Sequence, residues 1–191
     1  MMNLTPWTAN SIAWGVFCVY WLISSLRVKR TKIAENVSER LSTVLVLIPA
    51  VLLLFTRRLD VGPLRLRVVA DESWIAWSGV VVTAVGVAFA IWARYCIGQF
   101  WSARVTLKEG HRLIRSGPYR FVRHPIYTGM FFGTVGTALI VGNWGAVLGV
   151  LLMLAAHSLK ALREEALLIT EFGEEYAAYR RSTGFLFPRL R

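Results

Sequence analysis

The chain is predicted to be an all-α integral membrane protein of five transmembrane helices, ending in a helical hairpin and a C-terminal amphipathic helix. Three observations predict this. Of its 191 residues, 55% are hydrophobic and the mean hydropathy is +0.51, a composition that places the chain in the membrane class as one domain. Apolar runs recur near residues 11–26, 41–56, 74–93, 125–141 and 144–160, each at or close to the ~20 helical residues that cross a hydrocarbon core. Basic residues collect on alternate connecting segments.

The first run follows a stretch of ten residues without Lys or Arg, so no cleavable signal peptide is expected. The second is short and carries Pro49, which predicts a kink rather than a break. After the third comes the longest non-membrane stretch, residues 94–124, punctuated by Gly98, Gly110 and Gly117-Pro118. Its apolar islands, Val105-Thr106-Leu107 and Leu113-Ile114, suit a loop that folds back over a ligand. The fourth and fifth runs are separated only by residues 141–143, too few for anything but a tight hairpin between antiparallel neighbours. Gly129, Gly133 and Gly136 on one helix, with Gly145 and Gly149 on the other, predict close approach of these two backbones. Beyond residue 160, Leu167, Leu168, Phe172, Tyr176 and Tyr179 recur at helical spacing, with Gly173 as an interruption. That amphipathic helix is placed to lie over a site as a lid.

Charge sets the orientation. Segment 27–40 carries five basic residues, 94–124 seven and the tail from 160 six, so 18 of 22 fall on one side. The positive-inside rule makes that side cytoplasmic, with the N-terminus outside and the C-terminus inside. The net charge of +11 is largely this asymmetry, and its expected partner is anionic membrane lipid. Nucleic acid is not expected, because no basic soluble domain is present.

The chemistry-bearing stretch is Gly117-Pro118-Tyr119-Arg120-Phe121-Val122-Arg123-His124-Pro125-Ile126-Tyr127-Thr128-Gly129, directly before the fourth span. A charged group at the lip of a bilayer is costly unless paired, snorkelled or used. Taken singly, Arg123 and Tyr127 are interfacial anchors and Pro125 a helix first residue. The terminal hairpin changes this, because it returns Lys160, Arg163, Glu164 and Glu165 to the same surface. Lys160, Arg163 and Glu164 stand at i, i+3 and i+4. Glu165 points about 100° away from Glu164, so the two carboxylates are not expected to serve one ligand group through the same geometry, and one should be structural.

From about Gln99 to Pro188, the order of Gly-x-Tyr, Arg-His-Pro-x-Tyr-x-Gly, Glu-Glu and Phe-Gly-Glu-Glu-Tyr resembles the isoprenylcysteine carboxyl methyltransferase family, which is related to phospholipid N-methyltransferases. Residues 1–95 resemble only generic membrane spans. The chain thus divides into two parts: three N-terminal helices over 1–95, read from the apolar runs, and, as the resemblance implies, a methyltransferase half over 96–191 with a cytoplasmic cofactor-binding loop. The resemblance implies S-adenosyl-L-methionine as cofactor, held by His111, Arg112, Leu113, Ile114, Tyr119, His124, Pro125, Ile126, Tyr127 and Glu164. Arg123, Lys160 and Arg163 are the candidate catalytic residues. The acceptor implied is lipophilic, foremost the carboxylate of an isoprenylated cysteine, with a phospholipid amine or a thiol as alternatives.

The residue types suit that donor. Glu164 can take an ammonium or a hydroxyl, His124 and Tyr127 can hydrogen-bond a carboxylate or adenine, and Leu113, Ile114 and Ile126 can sandwich a ring. Two departures stand out. Lys160 occupies the place of the family's substrate-side arginine and lacks its bidentate fork, and the loop is short, leaving Ser102 and Thr106 as candidates for its early polar residue.

Other chemistries are disfavoured. His111, His124 and His157 do not form a ligand set, so no metal is expected. Cys18 and Cys96 sit in or beside different spans, and no structural disulfide is expected. No phosphate-binding glycine fingerprint is present. A sterol-reductase-like membrane reductase and a non-enzymatic lipid-binding membrane protein are the readings from other classes.

Overall fold

The computed structural model describes residues 4–26, 31–34, 36–56, 61–101, 106–108 and 112–189. Six α-helices form its body: α1 (Pro6–Ser25), α2 (Val37–Phe55), α3 (Ser73–Ile97), α4 (Pro125–Val141), α5 (Trp144–Phe172) and α6 (Glu174–Ser182). Two short strands, β1 (Thr31–Ala34) and β2 (Thr106–Lys108), pair antiparallel between the α1–α2 and α3–α4 connections. Each apolar run of the sequence is a helix, and Pro49 lies within an unbroken α2.

Among the described residues, Val37–Phe55, Ser73–Phe100 and Trp144–Phe172 are long and apolar enough to cross a bilayer, and Pro125–Val141 is a shorter apolar helix. The first run, α1, has 20 residues but is diluted by Thr8, Asn10 and Ser11. Bulky apolar side chains cover the outside: Leu22 is 70% exposed, Trp74 70%, Val85 64% and Leu151 57%. Such a belt is stable in hydrocarbon and costly in water. The protein is an integral membrane protein.

The glycine stripe of α4 does not do what its spacing predicts. Gly129 and Gly136 face α3, where Gly86 and Gly79 meet them, while Gly133 faces the Trp14 ring of α1; a Cβ on Gly129 would lie 2.6 Å from both the Ala90 nitrogen and the Gly86 oxygen. On α5, Gly149 faces Ala50, Leu53 and Leu54 of α2. The α4–α5 hairpin is tight, turning on Gly142 at φ +74° with Asn143 capping the next helix. Its two helices are neighbours, but the closest backbone approach is α4 on α3. Small-residue seams form between whichever faces are both small, and α3 carries the matching small face in Gly79, Gly86 and Ala90.

Polar groups fix α1 to this pair. Trp14 Nε1 donates to Thr137 Oγ1 at 3.0 Å, and Thr137 Oγ1 donates to Asn10 Oδ1 at 3.1 Å. At the other end, Arg94 donates to the carbonyls of Gly98 and Ser24, both at 2.7 Å, while its guanidinium lies 4.6 Å from the Trp101 ring centre. In a water-free interior such bonds hold register because no solvent competes for the donors.

Candidate active site

The site forms where α4 begins and the polar half of α5 passes it. Pro125 is the first residue of α4, where its missing N–H costs nothing. His124 stands before it at φ −124°, ψ 57°, which turns residues 121–124 out of the helix. The chain after α6 pairs with this turn: Gly184 N–H donates to Phe121 O at 3.0 Å, Arg123 N–H to Gly184 O at 2.9 Å, and His124 N–H to Phe185 O at 3.3 Å. Thr128 Oγ1 adds a 2.6 Å bond to Leu186 O.

Arg123 and Glu165 form the base of the site. Arg123 Nε donates to Glu165 Oε1 at 2.6 Å, and Nη1 donates to the carbonyls of Thr183 and Arg180 at 2.6 and 3.2 Å. Arg180 Nε meets the other Glu165 oxygen at 3.3 Å. With side-chain exposures of 10% and 5%, the pair is buried and both oxygens of Glu165 are engaged.

His124 lies between the two glutamates, with Nε2 3.3 Å from Glu165 Oε1 and Nδ1 3.5 Å from Glu164 Oε2. Burial alone pushes the imidazole pKa down, but the hydrogen bonds and charges of Glu164 and Glu165 outweigh it and raise the value above the ordinary one. Tyr127 donates its hydroxyl to Glu164 Oε1 at 2.6 Å. The Tyr127 ring is stacked at 15° to His124 and at 10° to His157, centroids 5.8 and 5.0 Å away. Lys160 Nζ sits 5.7 Å from the same ring's centre.

An apolar wall stands beside these groups. Ile114, Tyr119, Ile126 and Tyr127 join one cluster with Ala93, Trp21 and Trp101. Tyr119 and Tyr179 are tied by a 2.7 Å bond from the Tyr179 hydroxyl to the Tyr119 carbonyl. Burial lifts both phenols, Tyr179 to about 12, so neither ionises near neutrality.

The structure thus brings together His124, Pro125, Ile126, Tyr127, Glu164, Lys160, Tyr119 and Ile114, with Arg123 beneath them. Leu113 is half-buried and Arg112 exposed; His111 and Ser102 lie outside the described residues, and Thr106 is on β2. Arg163 turns to α2 instead, donating to Glu39 O, Thr43 Oγ1 and Ser42 Oγ at 2.6, 2.9 and 2.9 Å. The glutamates diverge along α5 and still reach one imidazole, because its two ring nitrogens point in opposite directions. The sequence reading missed the contacts of Arg180 and Thr183, which are made largely through backbone carbonyls and leave no side-chain signature. It also passed over His157, although 157, 160 and 164 stand on one helical face.

These residues fit a ligand with a flat ring and a cationic group: the wall is apolar, Glu164 is an acidic side chain at its edge, and the buried His157 Nδ1 has no hydrogen-bond partner among the described residues. The sequence profile of the Isoprenylcysteine carboxyl methyltransferase (ICMT) family matches residues 79–170. The matched stretch is 92 of the 191 residues, just under half of the chain. The match begins about twenty residues before the resemblance read from motifs, at the α3 face that packs on α4.

Among curated relatives, a protein-S-isoprenylcysteine O-methyltransferase of Schizosaccharomyces pombe is 37% identical over 96 residues, covering 49% of this chain and 41% of that protein. The Nickel-cobalt-cadmium resistance protein NccN of Alcaligenes xylosoxydans xylosoxydans is 29% identical over 121 residues, covering 63% of this chain and 54% of that protein. The chain thus matches about half the length of these relatives. A solved structure of the eukaryotic intramembrane Ras methyltransferase, at 20% identity, superposes with a TM-score of 0.58 over 98% of this chain and 69% of the other. The shared fold therefore includes α1 and α2, which the sequence left as generic spans.

Proposed function

We propose that this protein is an integral-membrane methyltransferase that uses S-adenosyl-L-methionine and acts on a lipophilic acceptor, foremost the carboxylate of an isoprenylated cysteine. The observation that carries this is the Glu164–Tyr127–His124 set, with His124 buried and Glu164 and Tyr127 half-buried, within the stretch that matches the family profile. Glu164 would hold the donor's cationic or hydroxyl groups, Ile114, Tyr119 and Ile126 would pack its ring, and Tyr127 with His124 would keep the Glu164 carboxylate oriented. His111, Arg112 and Leu113 belong to the same proposed loop. The donor, when bound, supplies a methyl group on a sulfonium.

Attack by a carboxylate oxygen requires no proton to be removed, so the chain's own residues need only align the acceptor and exclude water. Lys160, facing the Tyr127 ring, would orient an acidic acceptor arriving sideways from the bilayer. Arg123 would act through the base it forms with Glu165. Residues 1–95 would anchor and enclose, and 96–191 would carry the chemistry. The charge asymmetry supports five crossings with the N-terminus outside and the C-terminus cytoplasmic; a reporter fused after Arg191 that is exposed outside overturns this orientation.

A second reading, an amine or thiol acceptor, is favoured by one residue. Lys160 is a point charge where a carboxylate would be better gripped by a guanidinium fork. The deciding experiment is calorimetric titration of purified protein in detergent with S-adenosyl-L-methionine, followed by turnover on a prenylcysteine analogue, an alkyl thiol and an ethanolamine lipid. Glu164→Gln should weaken donor binding about tenfold or more, since a charge-assisted hydrogen bond is worth about 1.5–3 kcal/mol. Unchanged affinity in the folded variant sinks the assignment of Glu164.

A further inference from the structure

Only four of the 22 basic residues fall outside the three segments that gather on one side of the bundle, and all four are arginines between positions 57 and 67. Arginine on the sparsely charged side works against the signal that orients the chain. Two of them, Arg65 and Arg67, line a cavity of about 750 Å³ at the end of the bundle away from Glu164. The two ends are separated by the length of α4, 17 residues or about 25 Å.

The cavity has an apolar depth and a polar rim. Leu53 and Leu54, at 4% and 1% exposure, and Ile140 form the inner wall, while Arg65, Arg67 and Asp71 stand at the mouth. Asp71 pairs with Arg67 at 3.0 Å, so two guanidinium groups face one carboxylate and the mouth keeps a positive balance.

The arginine-bearing segment is fixed in place. Val68 and Val69 N–H both donate to Gly142 O, at 2.9 and 3.2 Å, and Trp144 N–H donates to Leu66 O at 3.1 Å. The Arg67 guanidinium occupies the space that a side chain at Gly142 would take: a Cβ there would lie 2.8 Å from Nη2. Cationic groups held over an apolar recess at the end of a membrane bundle match an amphiphile whose head is an anion.

We propose that this cavity binds the phosphate head of an anionic lipid, with Arg65 and Arg67 on the phosphate and the upper acyl chain against Leu53, Leu54 and Ile140. The site is independent of the methyl-transfer reading.

The test uses the full chain in phosphatidylcholine nanodiscs containing a minor fraction of phosphatidylglycerol, with retained lipid counted by native mass spectrometry. Phosphatidylglycerol should be retained over phosphatidylcholine. Arg65→Gln/Arg67→Gln should cut that preference about tenfold or more while leaving the helical circular-dichroism signal intact. Inorganic phosphate is the second arm: if it displaces the lipid and raises the melting temperature alone, the site takes free anions and the lipid assignment falls. Equal retention of both lipids, or a double variant that keeps the preference, overturns the proposal outright. Should the double variant fail to fold, Arg65→Lys/Arg67→Lys should keep the preference and the wild-type preference should fall as salt is raised; a salt-independent preference overturns the charge assignment.

Discussion

Arg123 Nε and Glu165 Oε1 lie 2.6 Å apart in a pocket that leaves their side chains 10% and 5% exposed. The same guanidinium also holds the carbonyls of Arg180 and Thr183. One buried ion pair thus joins the start of α4, the middle of α5 and the end of α6.

Removing one partner leaves the other charge buried and unmatched. Glu165→Ala and Arg123→Met should each lower stability by about 3–5 kcal/mol, the range for breaking a buried pair. Thermal unfolding in detergent should show a large drop for both. If Glu165→Ala melts like the parent, Glu165 is not the anchor of this end of the molecule.

The imidazole of His124 gives a pH signature of definite sign. Its folded pKa is raised, so its contribution to stability is fully present below the unfolded value of about 6.5 and is lost as pH rises through the higher folded value. Melting temperature should therefore fall across the region above about pH 6.5, and His124→Gln should flatten that slope. A parent whose melting temperature rises over the same range contradicts the bracketing of His124 by two carboxylates.

The seam between α3 and α4 makes a contrast testable with single methyl groups. A Cβ at Gly129 would meet backbone atoms at 2.6 Å, which cannot step aside, whereas at Gly15 nothing lies within 4 Å. Gly129→Ala should cost about 1–3 kcal/mol, and Gly15→Ala should be neutral or gain up to about 1 kcal/mol from helix propensity. Equal melting temperatures for the two variants would mean that the seam is looser than described.

Lys160 and Arg163 are one turn apart on α5 and should behave differently. Lys160→Met should reduce turnover on a carboxylate acceptor with donor affinity retained, because its ammonium faces Tyr127. Arg163→Met should mainly lower stability, since its three bonds tie α5 to Glu39, Ser42 and Thr43 of α2. A stable Arg163→Met protein that has lost only carboxylate turnover would reverse these roles.

Helix positions were legible because apolar run length is a property of the chain alone, as was the turn at residues 141–143. The union of Arg123–Tyr127 with Lys160–Glu165 was legible for the same reason: a tight hairpin leaves those ends no other place. Partners were less so. The glycines of α4 announce a close approach without saying to whom, and α3 supplied the matching face. Arg163 has the side chain of a ligand-binding residue, yet α2 offered a carbonyl and two hydroxyls nearer at hand. The carbonyls of Arg180, Thr183, Gly184 and Phe185 are invisible in sequence, since every residue has one.

The pairing of Gly184–Leu186 with Phe121–Thr128 dictates an order of assembly during synthesis. Residues 184–186 are made only after every helix from α1 to α6 has been synthesised. Until then the N–H groups of Arg123 and His124 lack their acceptors, and Arg123 lacks the Thr183 carbonyl. The site is thus the last part of the molecule to be completed, once the tail folds back onto the start of α4, and loss of that tail would leave the helices formed but this turn unpaired.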